Sequence, residues 1–140
     1  MIRAVLDTVV FVRALINPKG MWGRLLFSPP ATFVVVTSPD IIAEVLEVIY
    51  RPSLASKLRG MADPPTVERV IALLATASIV QPDVTESICR DPSDDKFFAA
   101  ARKGAAEYIV SEDLDVLDIP EYHGTRTIAA RAFLDILAAR

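Results

Sequence analysis

Acidic residues stand in this chain at places where a fold could gather them. The run I-R-A-V-L-D-T (Ile2 to Thr8) is apolar until it stops at Asp7, with the hydroxyl of Thr8 beside it. Glu44 sits in I-I-A-E-V-L, Asp94 and Asp95 in R-D-P-S-D-D-K-F, and Asp113 and Asp115 in V-S-E-D-L-D-V-L, just after Val110 and Ser111. In an open parallel sheet, ligands bind outside the carboxyl ends of the strands, so an acid that ends a central strand is placed for chemistry. Each acid also has a purely structural use. Asp7 and Asp113 can cap the helix that follows, and Asp91, Asp94 and Asp95 suit the positive end of a helix. Carboxylates drawn into one pocket repel one another, and a divalent cation between them relieves the repulsion. Oxygen donors without His or Cys select Mg²⁺ or Mn²⁺ over zinc. Such ions serve phosphodiester hydrolysis, so the chemistry implied is that of a nuclease or phosphatase.

The elements that must position these acids alternate between strand and helix. Ile2 to Thr8 reads as a strand, and the next run, Val9 to Ile16, fits strand or helix equally. A turn at Asn17 to Gly20 leads to a short helix over Met21 to Phe27, and the β-branched run Thr32 to Thr37 reads as a strand buried on both faces. Ser38 and Pro39 start a helix as N-cap and first residue. Ile41, Ile42, Val45, Leu46 and Ile49 form its apolar face, with Glu44 on the border of that face and Glu47 turned further toward solvent. Ser53 to Arg59 reads as a short basic helix, Asp63-Pro64-Pro65 starts another, and Ser78 to Gln81 is an edge-like strand. A helix through Phe97 to Ala101 ends at Gly104. A strand at Glu107 to Val110, a last strand at Gly124 to Ile128 and a last helix at Ala129 to Ala139 complete the chain. This order predicts an α/β fold with a central parallel sheet and helices on both faces. Asp95, immediately before the apolar run, is the favoured acid of its pair, although the pattern alone leaves Asp94 as an alternative.

Composition narrows the function classes. The 140 residues, 52% hydrophobic and 24% charged, suit one globular domain spanning 1–140, with no repeat or linker to divide it. No apolar run approaches the ~20 residues of a membrane span, and the start lacks the pattern of a secretory signal. A single cysteine, Cys89, allows no internal disulfide and fits a cytoplasmic location. Cys89 and the lone His123 do not make a zinc site. The net charge of −3 argues against a globally basic nucleic-acid binder. It leaves room for a local rim of Arg13, Lys19, Arg24, Lys57, Lys96 and Arg102, of which Arg13, Lys96 and Arg102 are the candidate phosphate contacts. The glycines fit neither G-x-G-x-x-G nor a P-loop. A haloacid-dehalogenase-type phosphatase would need a second Asp where Val9 stands, and a receiver domain would need an acid pair after the first strand and a late lysine.

The segments D-T-V-V-F-V (Asp7 to Val12), I-I-A-E-V-L (Ile41 to Leu46), R-D-P-S-D-D-K-F (Arg90 to Phe97) and V-S-E-D-L-D-V-L (Val110 to Leu117) together resemble PIN-domain proteins. The likeness is closest to the VapC-like toxins of bacterial toxin-antitoxin systems, and E-Y-H-G-T-R (Glu121 to Arg126) resembles one PIN subgroup of toxin components. The resemblance covers nearly the whole chain. It implies a three-layer α/β/α sandwich on a central parallel sheet, related to the 5′-nucleases. It also implies Mg²⁺- or Mn²⁺-dependent cleavage of single-stranded RNA, a homodimer, and a small antitoxin protein that blocks the site. Matched by motif, the metal-binding and catalytic acids fall on Asp7, Glu44, Asp95 and Asp113, with Asp115 as a fifth ligand and Thr8 and Ser111 as supporting hydroxyls. One position departs from the pattern: many members read D-T-N at the first motif, and Val9 stands in place of the asparagine. That departure supports a rival expectation, a PIN fold that binds RNA or a partner without cutting.

Overall fold

Short runs of β-branched and apolar residues build the centre of the molecule. The computed structural model describes residues 1–27, 33–54, 64–85 and 87–140, without the side chains of 64–66. Strands β1 (Ile2–Leu6) and β2 (Phe33–Thr37) pair in parallel with Val5 opposite Val36. With β3 (Ser78–Ile79), β4 (Tyr108–Val110), β5 (Glu121–Tyr122) and β6 (Thr125–Ile128) they form one sheet in the order β3-β2-β1-β4-β6-β5. Every pairing is parallel except that of β5 with β6. β1 lies in the middle, so the residue that follows it sits at the centre of the sheet's carboxyl edge.

Helices make the crossovers, and the architecture is a three-layer α/β/α sandwich. The ambiguous run after Asp7 is helix α1 (Thr8–Ile16), because the Asp7 carboxylate accepts the Val9 N–H at 3.2 Å and caps it. Helix α2 (Met21–Phe27) follows, then α3 (Pro39–Ile49), whose first turn is held by Ser38 Oγ accepting from Ile41 N at 3.3 Å. Helix α4 (Pro64–Thr76) leads to β3. A 3₁₀ turn at Pro92–Asp94 runs directly into α5 (Asp95–Lys103), which packs on β1, β2 and β4. Helix α6 (Leu114–Leu117) is a single turn after β4, and α7 (Ala130–Ala138) comes last. Phe11, Phe97, Phe98 and Phe133 are fully buried between these layers; each such ring contributes roughly 1.5–3 kcal/mol by leaving water.

The amino edge of the sheet is tied by polar contacts. Arg3 Nε donates to the Gly104 carbonyl at 2.8 Å and a second guanidinium nitrogen donates to Ser78 Oγ at 3.0 Å, while Thr125 Oγ1 donates to the Ala106 carbonyl at 2.7 Å. Gly104 ends α5 so close to β2 that a Cβ there would lie 2.6 Å from Val36 Cγ1.

Two details differ from the sequence reading. The sheet is not wholly parallel, because β5 returns antiparallel through a two-residue turn at His123 and Gly124, with φ of 49° and 84°. Both turn residues adopt the left-handed backbone that such tight hairpins require. The strand expected at 78–81 pairs only over Ser78–Ile79, at the sheet margin. Thr32, Asp63 and residues 55–59 of the expected basic helix, Lys57 among them, lie outside the described residues. No helix among the described residues is long and apolar enough to cross a membrane.

Candidate active site

The carboxyl ends of β1, β2 and β4 bring most of the acids to one place. Asp7 follows β1 directly and is almost fully buried. Its Oδ1 accepts from Val9 N, and its Oδ2 accepts from Ser111 Oγ at 2.5 Å, across from the end of β4. Ser111 Oγ accepts in turn from Asp113 N at 3.0 Å, so one hydroxyl links the ends of two neighbouring strands. Glu44 reaches in from α3: its Oε2 accepts from Thr8 Oγ1, and its Oε1 lies 2.9 Å from Lys96 Nζ. Burial pushes the Asp7 carboxyl above its usual value. The hydrogen bonds from Ser111 and Val9 pull it back, and the charges of Asp113 and Glu44 add to the rise.

Asp94, Asp113 and Asp115 form a tighter group, each offering an oxygen within 4.8 Å of those of the other two. Asp113 caps α6 by accepting from Asp115 N at 2.9 Å, which turns both carboxylates to the same side. Asp94 is only 8% exposed, and its Oδ2 is buried with no hydrogen-bond partner. Burial, then the charges of Asp113, Asp7 and Asp91, push its carboxyl up to about 7. An unpartnered buried oxygen is costly unless something satisfies it. Three converging carboxylates with no nitrogen or sulfur donor form a set that a hard divalent cation would satisfy.

The structure places Asp95 apart from this group. Asp95 Oδ1 accepts from Cys89 N at 2.8 Å and from Ile88 N at 3.1 Å, so its carboxylate holds the preceding loop and does not join the cluster. Burial alone would raise it, but those backbone N–H groups outweigh burial and hold it below the usual value. Its neighbour Asp94 takes the inward place. The signal was present in the sequence: at helical spacing Asp94 shares a face with Phe97, Phe98 and Ala101, all buried, whereas the same spacing from Asp95 ends on exposed Arg102.

Of the three candidate phosphate contacts, two lie away from the acids. Arg13 and Arg102 stand in the last turns of α1 and α5, helices whose first turns are at the site, and the Arg13 guanidinium lies over the Trp22 ring at 4.9 Å. Lys96 is at the site but bonded to Glu44. The sequence reading missed two residues here. Arg90, 81% exposed, has its Nε 3.8 Å from Asp115 Oδ1. Glu112, between Ser111 and Asp113, accepts from Ala130 N at 2.9 Å and Trp22 Nε1 at 3.4 Å, which fixes the turn carrying its two neighbours. A glutamate just after a strand gives no sign of such a role when its partners lie 18 and 90 residues away. Burial, then Asp95, push the Cys89 thiol up to about 12, so it is a poor nucleophile. Val9 is exposed beside Asp7.

A family model described as a PIN domain matches residues 3–115, a span that runs from within β1 to the acid at position 115. An uncharacterized protein of Methanocaldococcus jannaschii is 31% identical over 119 residues, covering 84% of this chain and 75% of that protein.

Proposed function

The chain belongs to the PIN-domain family, a nuclease-type fold, and on that premise we propose that it is a Mg²⁺- or Mn²⁺-dependent endoribonuclease acting on single-stranded RNA. The observation that carries this reading is the convergence of the Asp94, Asp113 and Asp115 carboxylates, with Asp94 Oδ2 buried and unpartnered. These three acids hold the ion, and their all-oxygen character favours Mg²⁺ or Mn²⁺. A divalent cation bound there supplies positive charge for in-line attack of water on a phosphodiester. The protein's own residues do the positioning. Asp7, fixed through both oxygens, and Ser111, bonded to Asp7 and to the Asp113 backbone, lock the ends of β1 and β4 so that Asp113 stays beside Asp94. Arg90, exposed beside Asp115, meets the RNA backbone. The roles of VapC-like toxin, antitoxin target and homodimer rest on the motif resemblance at 7–12, 41–46, 90–97 and 110–117.

The test is cleavage of a mixed single-stranded RNA by the purified chain with Mn²⁺, with EDTA, and by Asp94→Asn with Mn²⁺. The expected result is cleavage in the first case and none with EDTA, with a loss on the order of 100-fold in the variant, the scale for losing a group that shapes a metal site. Wild-type protein that binds RNA and leaves it uncut with every divalent ion would overturn the reading in favour of a binding module.

A further inference from the structure

We propose that the ammonium of Lys96 stands where a second divalent cation would otherwise be needed, so that the site holds one ion per chain. The inference rests on the metal-dependent reading above and deepens it. The acids around the mouth divide into two halves of different character. On one half, both oxygens of Glu44 already have donors, Lys96 Nζ at 2.9 Å and the Thr8 hydroxyl, and both oxygens of Asp7 are bonded to Val9 N and Ser111 Oγ. On the other half, Asp94 Oδ2 has none.

Lys96 is not a wandering surface lysine. Its side chain is only 16% exposed, its ammonium also donates to the Ser93 carbonyl, and it lies over the Phe97 ring at 5.0 Å. Three partners from α3, the 3₁₀ turn and α5 thus fix a positive charge against Glu44. A two-ion site needs free carboxylates around both ions, roughly 3.5–4 Å apart. Here a resident cation neutralises one of those carboxylates permanently. Removing it would leave Glu44, near Asp7, without charge compensation.

The experiment counts Mn²⁺ bound per chain by electron paramagnetic resonance, with circular dichroism to confirm the fold, for wild type, Lys96→Arg, Lys96→Met and Glu44→Gln. One ion is expected for wild type and Lys96→Arg, and a second, weaker one for Lys96→Met. If Lys96→Met does not fold, Glu44→Gln decides alone. Mn²⁺ affinity within about threefold of wild type supports the proposal, whereas a loss of about tenfold or more, the scale for losing a group that shapes a metal site, makes Glu44 a ligand and overturns it. Two ions on the wild type, or one on folded Lys96→Met, also overturns it while leaving the metal reading intact. A wild type that binds no Mn²⁺ overturns the metal reading, and this inference with it.

Discussion

The two edges of the sheet treat their polar residues in opposite ways. At the amino edge, Arg3 reaches the Gly104 carbonyl and Ser78, and Thr125 reaches the Ala106 carbonyl, so strands β1, β3 and β6 are tied to their surroundings by satisfied groups. At the carboxyl edge, Thr37 Oγ1 and Asp94 Oδ2 are buried without partners, and Asp94, Asp113 and Asp115 crowd their charges together. Buried polar atoms ordinarily find partners, and those that do not are explained by strain, chemistry or a missing ligand. One edge therefore serves the fold, and the other holds back stability for a function.

The largest effect that would sharpen this contrast comes from two adjacent residues. Asp94→Asn should cut RNA cleavage on the order of 100-fold while raising the melting temperature of metal-free protein, because it removes a repelled charge. Asp95→Asn weakens the acceptor of two backbone N–H groups. It should lower stability by about 1–3 kcal/mol in urea unfolding and cleavage by less than about tenfold. Equal losses of cleavage in the two variants would erase the distinction between them. At the other edge, Arg3→Met should cost about 1.5–3 kcal/mol, the range for hydrogen bonds to a charged group, with Mn²⁺ affinity unchanged. A parallel fall in affinity would show that the edges are not separable.

The most gradual effect is the pH dependence, because it is spread over several pH units. The Asp94 carboxyl titrates near 7 in the folded chain against 3.8 as its ordinary value, so the folded state holds a proton that the unfolded state has released. Metal-free stability should then be highest below about pH 4 as far as this group is concerned, fall as pH rises toward 7, and level off above it, with a slope of at most ~1.4 kcal/mol per pH unit. Burial of Asp7 adds to the same trend. Melting curves in EDTA across that range check it, and Asp94→Asn should flatten the profile. A flat wild-type profile would mean that the carboxyl edge carries no stored repulsion.

Much of this arrangement was legible in the chain. The helix at Pro39–Ile49 with its Ser38 cap, the strand ending at Asp7 and the strand before Ser111 all follow from local pattern, because capping and apolar periodicity act over a few residues. Asp95 was preferred for standing next to the apolar run, whereas the helical spacing i+3, i+4 and i+7 sets Asp94 on the face of Phe97, Phe98 and Ala101. The partner of Lys96 was hidden for a different reason. Whether a basic residue meets a phosphate or a carboxylate depends on where α3 and α5 cross, and spacing within one helix does not carry that. The hairpin of β5 and β6 was missed because β5 is two residues long and gives no alternating pattern.

That hairpin bears on how copies of this chain can meet. β5 covers the outer side of β6, and the opposite margin is β3, also only two residues long. Strands this short give a neighbouring polypeptide almost no template of open backbone groups to extend. Association by strand addition, the usual first step toward fibrous aggregates, is thereby discouraged at both margins. Any specific pairing of copies is left to the helical layers.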